Sequence, residues 1–118
     1  MLKVLFAGLL GVVVILGAGP AMAHARLVAA NPAKAAAVAP PPRISLTFSQ
    51  RLEQKFSGLT LSNARGSAVK LKTSVGKDGL TLIAVPQSPL TPGAYLVKWH
   101  AVAGDAHRME GSYSFTVR

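Results

Sequence analysis

Side chains able to do acid–base or metal chemistry are few in this chain. It holds three histidines, four carboxylates (Glu53, Asp78, Asp105 and Glu110) and no cysteine, so thiol chemistry is excluded. Two of the histidines and one aspartate fall in "WHAVAGDAHRMEG", 99–111. Asp105 and His107 stand two positions apart there, so in extended chain both would project from one face. A carboxylate beside an imidazole is a reasonable pair of metal ligands and equally an ordinary salt bridge. The spacing does not choose between them.

The remaining histidine, His24, follows "AGPAMA". If the chain is cut after Ala23, His24 becomes the first residue and carries a free amine. That amine and the ring Nδ1 can close a six-membered chelate ring on one metal ion. Their unperturbed pKa values, about 7.7–8.0 and about 6.5, let a divalent ion displace both protons near neutral pH. With Asp105 and His107 added, the set is three nitrogens and one oxygen. Mixed N,O donors without sulfur suit Cu(II) or Ni(II), and the affinity order puts Cu(II) first. Calcium wants more oxygens, and zinc is a poorer fit without sulfur or a further nearby histidine. The alternative for His24 is a frayed terminus whose side chain does nothing. His100 falls by parity with Lys98 on the face away from Trp99 and reads as a surface histidine. Met109 reads as packing against the site, and Glu53 and Glu110 as offsets to nearby basic charge.

The cut is read from the first 23 residues. Lys3 precedes the apolar run "VLFAGLLGVVVILGAG", then Pro20 and Ala21-Met22-Ala23. A basic start, an apolar middle and an A-x-A end are the order of a secretory signal peptide. The run is also long enough to span a bilayer, which needs about 20 residues. Its glycines and proline weaken a spanning helix, however, and no basic stop-transfer cluster follows. Residues 1–23 are therefore expected to be a cleaved signal peptide and residues 24–118 one small exported domain, with the periplasm as its location. The formal net charge of the whole chain is +9. Within residues 24–118 the basic residues are scattered from Arg26 to Arg118 without a block, and one Trp and two Tyr leave little to stack on bases. No nucleic acid is expected as a partner; a basic surface that favours anionic polymers is the simpler reading.

The elements that must position these residues read as strands. "RISLTFS" alternates, with Ile44, Leu46 and Phe48 on one side. "AYLVKWH" aligns Tyr95, Val97 and Trp99, and "GSYSFTV" aligns Tyr113, Phe115 and Val117. "RLVAA", "SGLTLSN", "AVKLK" and "LTLIAV" are weaker strand candidates, and "NARGS", "VGKDG" and "PLTPG" carry turn residues. Seven strands with no helix to connect parallel neighbours predict an all-β, antiparallel, Ig-like or cupredoxin-like β-sandwich with Trp99 as core anchor. "NPAKAAAVAPPP", 31–42, is expected to be an ordered crossover loop.

The terminal "HARLVAANPA", "LTFS", "PLTPGAYLVKW" and "VAGDAHRMEGSYSFTV" together resemble the CopC family of periplasmic copper-binding proteins, over essentially all of residues 24–118. The resemblance implies a seven-stranded Greek-key barrel that holds one Cu(II) per chain through a terminal histidine, an aspartate and a second histidine. Those positions are His24, Asp105 and His107 here. It also implies copper tolerance or supply as the role and an inner-membrane partner of the CopD type. The chain departs from the family pattern in two places. A glutamate often follows "FS" in the family, where this chain has Gln50, which supplies less negative charge. Some members carry a methionine- and histidine-rich loop for Cu(I), and "SNARGSAVKLKTSVGKDG" contains neither residue. A single Cu(II) site in a monomeric, non-enzymatic carrier or buffer is the expectation. One rival is a copper oxidative enzyme built on a terminal histidine chelate, which needs an aromatic platform that the inward Tyr95, Trp99 and Tyr113 do not leave. The other is a metal-free sandwich module.

Overall fold

Ten-residue strands set the frame: β8 (Gly93–Val102) and β9 (Arg108–Val117) form a hairpin paired without a break from Gly93 opposite Val117 to Val102 opposite Arg108. Alternation explains the pairing. Tyr95, Val97, Tyr113, Phe115 and Val117 are buried on one face while Lys98, Ser112, Ser114 and Thr116 remain exposed, or half-buried like Leu96, on the other. The computed structural model describes residues 24–118. The signal-peptide expectation for residues 1–23 lies outside them.

The other strands are β1 (Leu27–Asn31), β2 (Ala37–Val38), β3 (Ile44–Phe48), β4 (Gly58–Asn63), β5 (Ala68–Val69), β6 (Leu71–Val75) and β7 (Thr81–Pro86). They build a sandwich of two sheets, ordered β1-β3-β7-β6 and β2-β9-β8-β4-β5. The chain crosses between sheets after β1, β2, β3, β5 and β7, so sequence neighbours are often not sheet neighbours. Ile44, Leu46 and Phe48 of β3 and Leu82 and Ala84 of β7 close the core from the first sheet. Each large side chain so buried contributes roughly 1.5–3 kcal/mol.

The all-β sandwich is as expected; its details differ in four ways. "AVKLK" is not one strand: Ala68–Val69 pairs with β4, and from Leu71 the chain pairs with β7 in the opposite sheet. Alternation continues across Lys70, so local pattern carries no sign of the switch. The 31–42 crossover includes β2, which runs parallel to β9, so the sandwich is not wholly antiparallel. A one-turn 3-10 helix, Gln54–Phe56, precedes β4. Trp99 lies at the edge of the core, not its centre. Its ring meets Phe48 edge to face at a centroid distance of 5.1 Å and covers Gly111, where a Cβ would come within 2.5 Å of the indole.

Tyr113 ties the crossover to the sheet. Its hydroxyl donates to the carbonyl of Pro32, itself buried, at 2.9 Å. Tyr113→Phe leaves that carbonyl without its donor and should cost about 1–3 kcal/mol in urea unfolding. Burial also pushes the phenol up to about 12 from its ordinary value of 10.0. A raised folded pKa means the contribution is complete below pH about 10 and lost as pH rises through about 12. Stability of the phenylalanine variant should lack that alkaline decline.

Candidate metal centre

The hairpin turn, 103–107, is where sequence-distant chemistry meets. Its base is pinned from outside: the Glu53 N–H donates to the Val102 carbonyl at 2.8 Å, and the Val102 N–H donates to Ser57 Oγ at 3.0 Å. Ala103 is buried beneath it. Above that base the Ala106 N–H donates to the Ala103 carbonyl at 2.9 Å, and the His107 N–H donates to Asp105 Oδ1 at 3.1 Å.

Asp105 and His107 do come together, but not by the extended-chain rule. They sit in a turn, and the residue between them, Ala106, has φ of +66°. That left-handed conformation is uncommon for a residue with a Cβ and costs about 1–2 kcal/mol. It reverses the chain between the two ligand candidates, and the His107 N–H bond to Asp105 holds the reversal. Nothing in "GDAHR" marks an alanine for this conformation.

His24 reaches the same turn from the other end of the described chain. Its Nδ1 donates to Asp105 Oδ2. The Nδ1 of His107 lies 3.3 Å from that same oxygen and 3.3 Å from His24 Nδ1. The two rings meet edge on, with centroids 4.6 Å apart. One donor atom from each of the three residues falls within a 4.8 Å span. Donors around a single ion with bonds of about 2.0–2.2 Å lie roughly 3–4 Å apart, so small movements would seat one. Partial burial works against the charge on Asp105. The His107 N–H and the His24 ring outweigh it and hold the carboxyl below its usual value. An ionised oxygen therefore stands between two imidazoles at neutral pH. The His24 and His107 side chains are 50% and 69% exposed and Asp105 only 14%, so the cluster has a fixed floor and an open mouth.

His100 belongs to β8 opposite Glu110 and is half-buried rather than free on the surface. It lines a recess of about 440 Å³ with Phe56, Val102, Ala106 and Arg108. Burial first, then the Arg108 charge, lower its pKa against the opposing pull of Glu110. Met109 is half-buried in β9 opposite Ala101, and Gln50 is half-buried just past the end of β3. Ala106, whose left-handed conformation turns the chain between two of the donors, escaped the sequence reading. Its small side chain carries no chemical signature of its own.

Comparison with known proteins agrees over nearly the same span. The family model for the CopC domain matches residues 27–118. Copper resistance protein C of Escherichia coli is 40% identical over 106 residues, covering 83% of this chain and 84% of that protein. Copper resistance protein C of Pseudomonas syringae pv. tomato is 41% identical over 105 residues, covering 83% of each. The crystal structure of PcoC, a methionine-rich copper resistance protein from Escherichia coli, superposes with a TM-score of 0.76. It is 39% identical, and the match covers 81% of this chain and all of PcoC.

Proposed function

The chain belongs to the CopC family, and from that premise we propose that it binds one Cu(II) through His24, Asp105 and His107. It acts as a non-enzymatic carrier or buffer in copper resistance or supply. The observation that carries the reading is the meeting of three donor atoms within 4.8 Å, brought from positions 24, 105 and 107. Two imidazoles and a carboxylate without sulfur are donors that suit Cu(II). The relatives' names, copper resistance protein C, point to the same ion.

The open mouth suits cargo more than a permanently held cofactor. With both imidazoles exposed, ligands of a receiving protein can reach the ion before the chain lets go. Export to the periplasm through residues 1–23, a monomeric state and a CopD-type membrane acceptor complete the proposal. Titration of the exported protein with Cu(II) should end at one equivalent. Failure to take up Cu(II) in stoichiometric amount would instead favour a metal-free sandwich module.

Oxidation state provides a second check. PcoC is described as methionine rich, whereas this chain has three methionines, of which only Met109 lies among the described residues. One thioether is a poor basis for holding the softer ion. In competition with a Cu(I) chelator the protein should leave the copper with the chelator. Tight stoichiometric uptake of Cu(I) would require Met109 and the histidines to be reassigned.

A further inference from the structure

We infer that Ala25 and Ser49 form a clamp that positions His24 over the 103–107 turn before any metal arrives. The inference rests on the copper reading for its purpose, though not for its geometry. A chain terminus ordinarily frays, and a ligand on a frayed end must be ordered at the moment of binding. Here the residue after His24 is fully buried: Ala25 has no exposed surface and belongs to the core cluster. The next residue is tied twice to Ser49. The Arg26 N–H donates to Ser49 Oγ at 3.0 Å, and the Ser49 N–H donates to the Arg26 carbonyl at 2.9 Å.

These ties lie beyond the regular pairing of β1 with β3, which ends at Leu27 opposite Phe48 with a bulge between Leu27 and Ala29. A bulge bends the strand that carries it. The clamp therefore takes hold just where ladder hydrogen bonds run out, two residues from the ligand candidate. A side-chain hydroxyl replaces the missing carbonyl acceptor for Arg26. His24 itself remains half exposed, so its ring is held by the anchored backbone of Ala25 and Arg26 and by the Asp105 contact. Ser49 and Ala25 are positioning residues; neither contributes a donor atom to the cluster.

The test uses Ser49→Ala, Ser49→Thr and Ala25→Gly in the protein that begins at His24. Ser49→Ala removes only the hydroxyl acceptor, Ser49→Thr keeps it, and Ala25→Gly removes the buried methyl and loosens the backbone. Ser49→Ala and Ala25→Gly should each weaken Cu(II) binding about tenfold, the ordering cost of roughly one backbone residue. The electron paramagnetic resonance spectrum of bound Cu(II) should be unchanged, because the donors are the same, and Ser49→Thr should restore affinity. A fall in melting temperature large enough to account for the lost affinity would assign Ser49 to general stability and overturn the inference.

A metal-free arm separates this inference from the copper reading. In the unmetallated protein, nuclear Overhauser contacts between the His24 and His107 rings and slow exchange of the Arg26 amide should be present and should vanish in Ser49→Ala. If the unsubstituted protein beginning at His24 takes up no Cu(II), the proposed function fails while the clamp is still judged on these two signals. If both persist in Ser49→Ala, the clamp is wrong whatever copper does.

Discussion

One extra alanine in front of His24 is expected to remove tight Cu(II) binding, as completely as His24→Ala does. The atom that would close a six-membered ring with the residue's own amine is Nδ1. It is Nδ1, in the structure, that points into the cluster and donates to Asp105. A free amine with a pKa of about 7.7–8.0 yields its proton to a divalent ion near neutral pH. With Ala23 or any other residue attached, the same nitrogen is an amide, neutral and a poor donor. The ring is then lost, and His24, Asp105 and His107 remain as three separate ligands. The loss should be at least about 100-fold, since even changes behind the ligands cost 10–100-fold. Chains beginning at His24, chains with one added alanine, and His24→Ala should be titrated side by side, with only the first binding strongly. Equal affinity in the extended chain would show that the amine is not a ligand.

Asp105→Ala and His107→Ala should each weaken Cu(II) binding by at least about tenfold, with Asp105→Ala the worse of the two. Asp105 Oδ2 is the atom that both imidazoles approach, and its negative charge offsets that of the incoming cation. His107 is 69% exposed, so its truncation should leave stability within about 0.5 kcal/mol. Asp105→Ala also removes the acceptor of the His107 N–H and loosens the turn. Asp105→Asn, which can keep that acceptor while losing the charge, separates the two effects. Its fold should match the parent's and its Cu(II) affinity should not. Unchanged titration curves for both alanine variants would place the site elsewhere.

Much of this molecule could be read along the chain because the relevant physics is local. Alternation with a period of two marks Ile44, Leu46 and Phe48, or Tyr113, Phe115 and Val117, as one buried face wherever the strand ends up. An imidazole and a carboxylate without nearby sulfur limit the chemistry to a small group of ions whatever the fold. The all-β class and the identities of the three ligand candidates therefore came from residue types and spacing. Other features depend on contacts between residues far apart in sequence. The switch of sheets at Lys70 is invisible to alternation, because both halves alternate in the same way and differ only in their partners. The parallel pairing of Ala37–Val38 rests on an edge of β9 that a local pattern cannot supply. Spacing brought Asp105 and His107 together for the wrong reason: an Ala106 left-handed turn, not an extended strand, makes their side chains converge. The approach of His24 across 81 positions depends on the packing of Ala25 and the hydrogen bonds between Arg26 and Ser49, since only a folded core can overcome the entropy of ordering the segment that carries it.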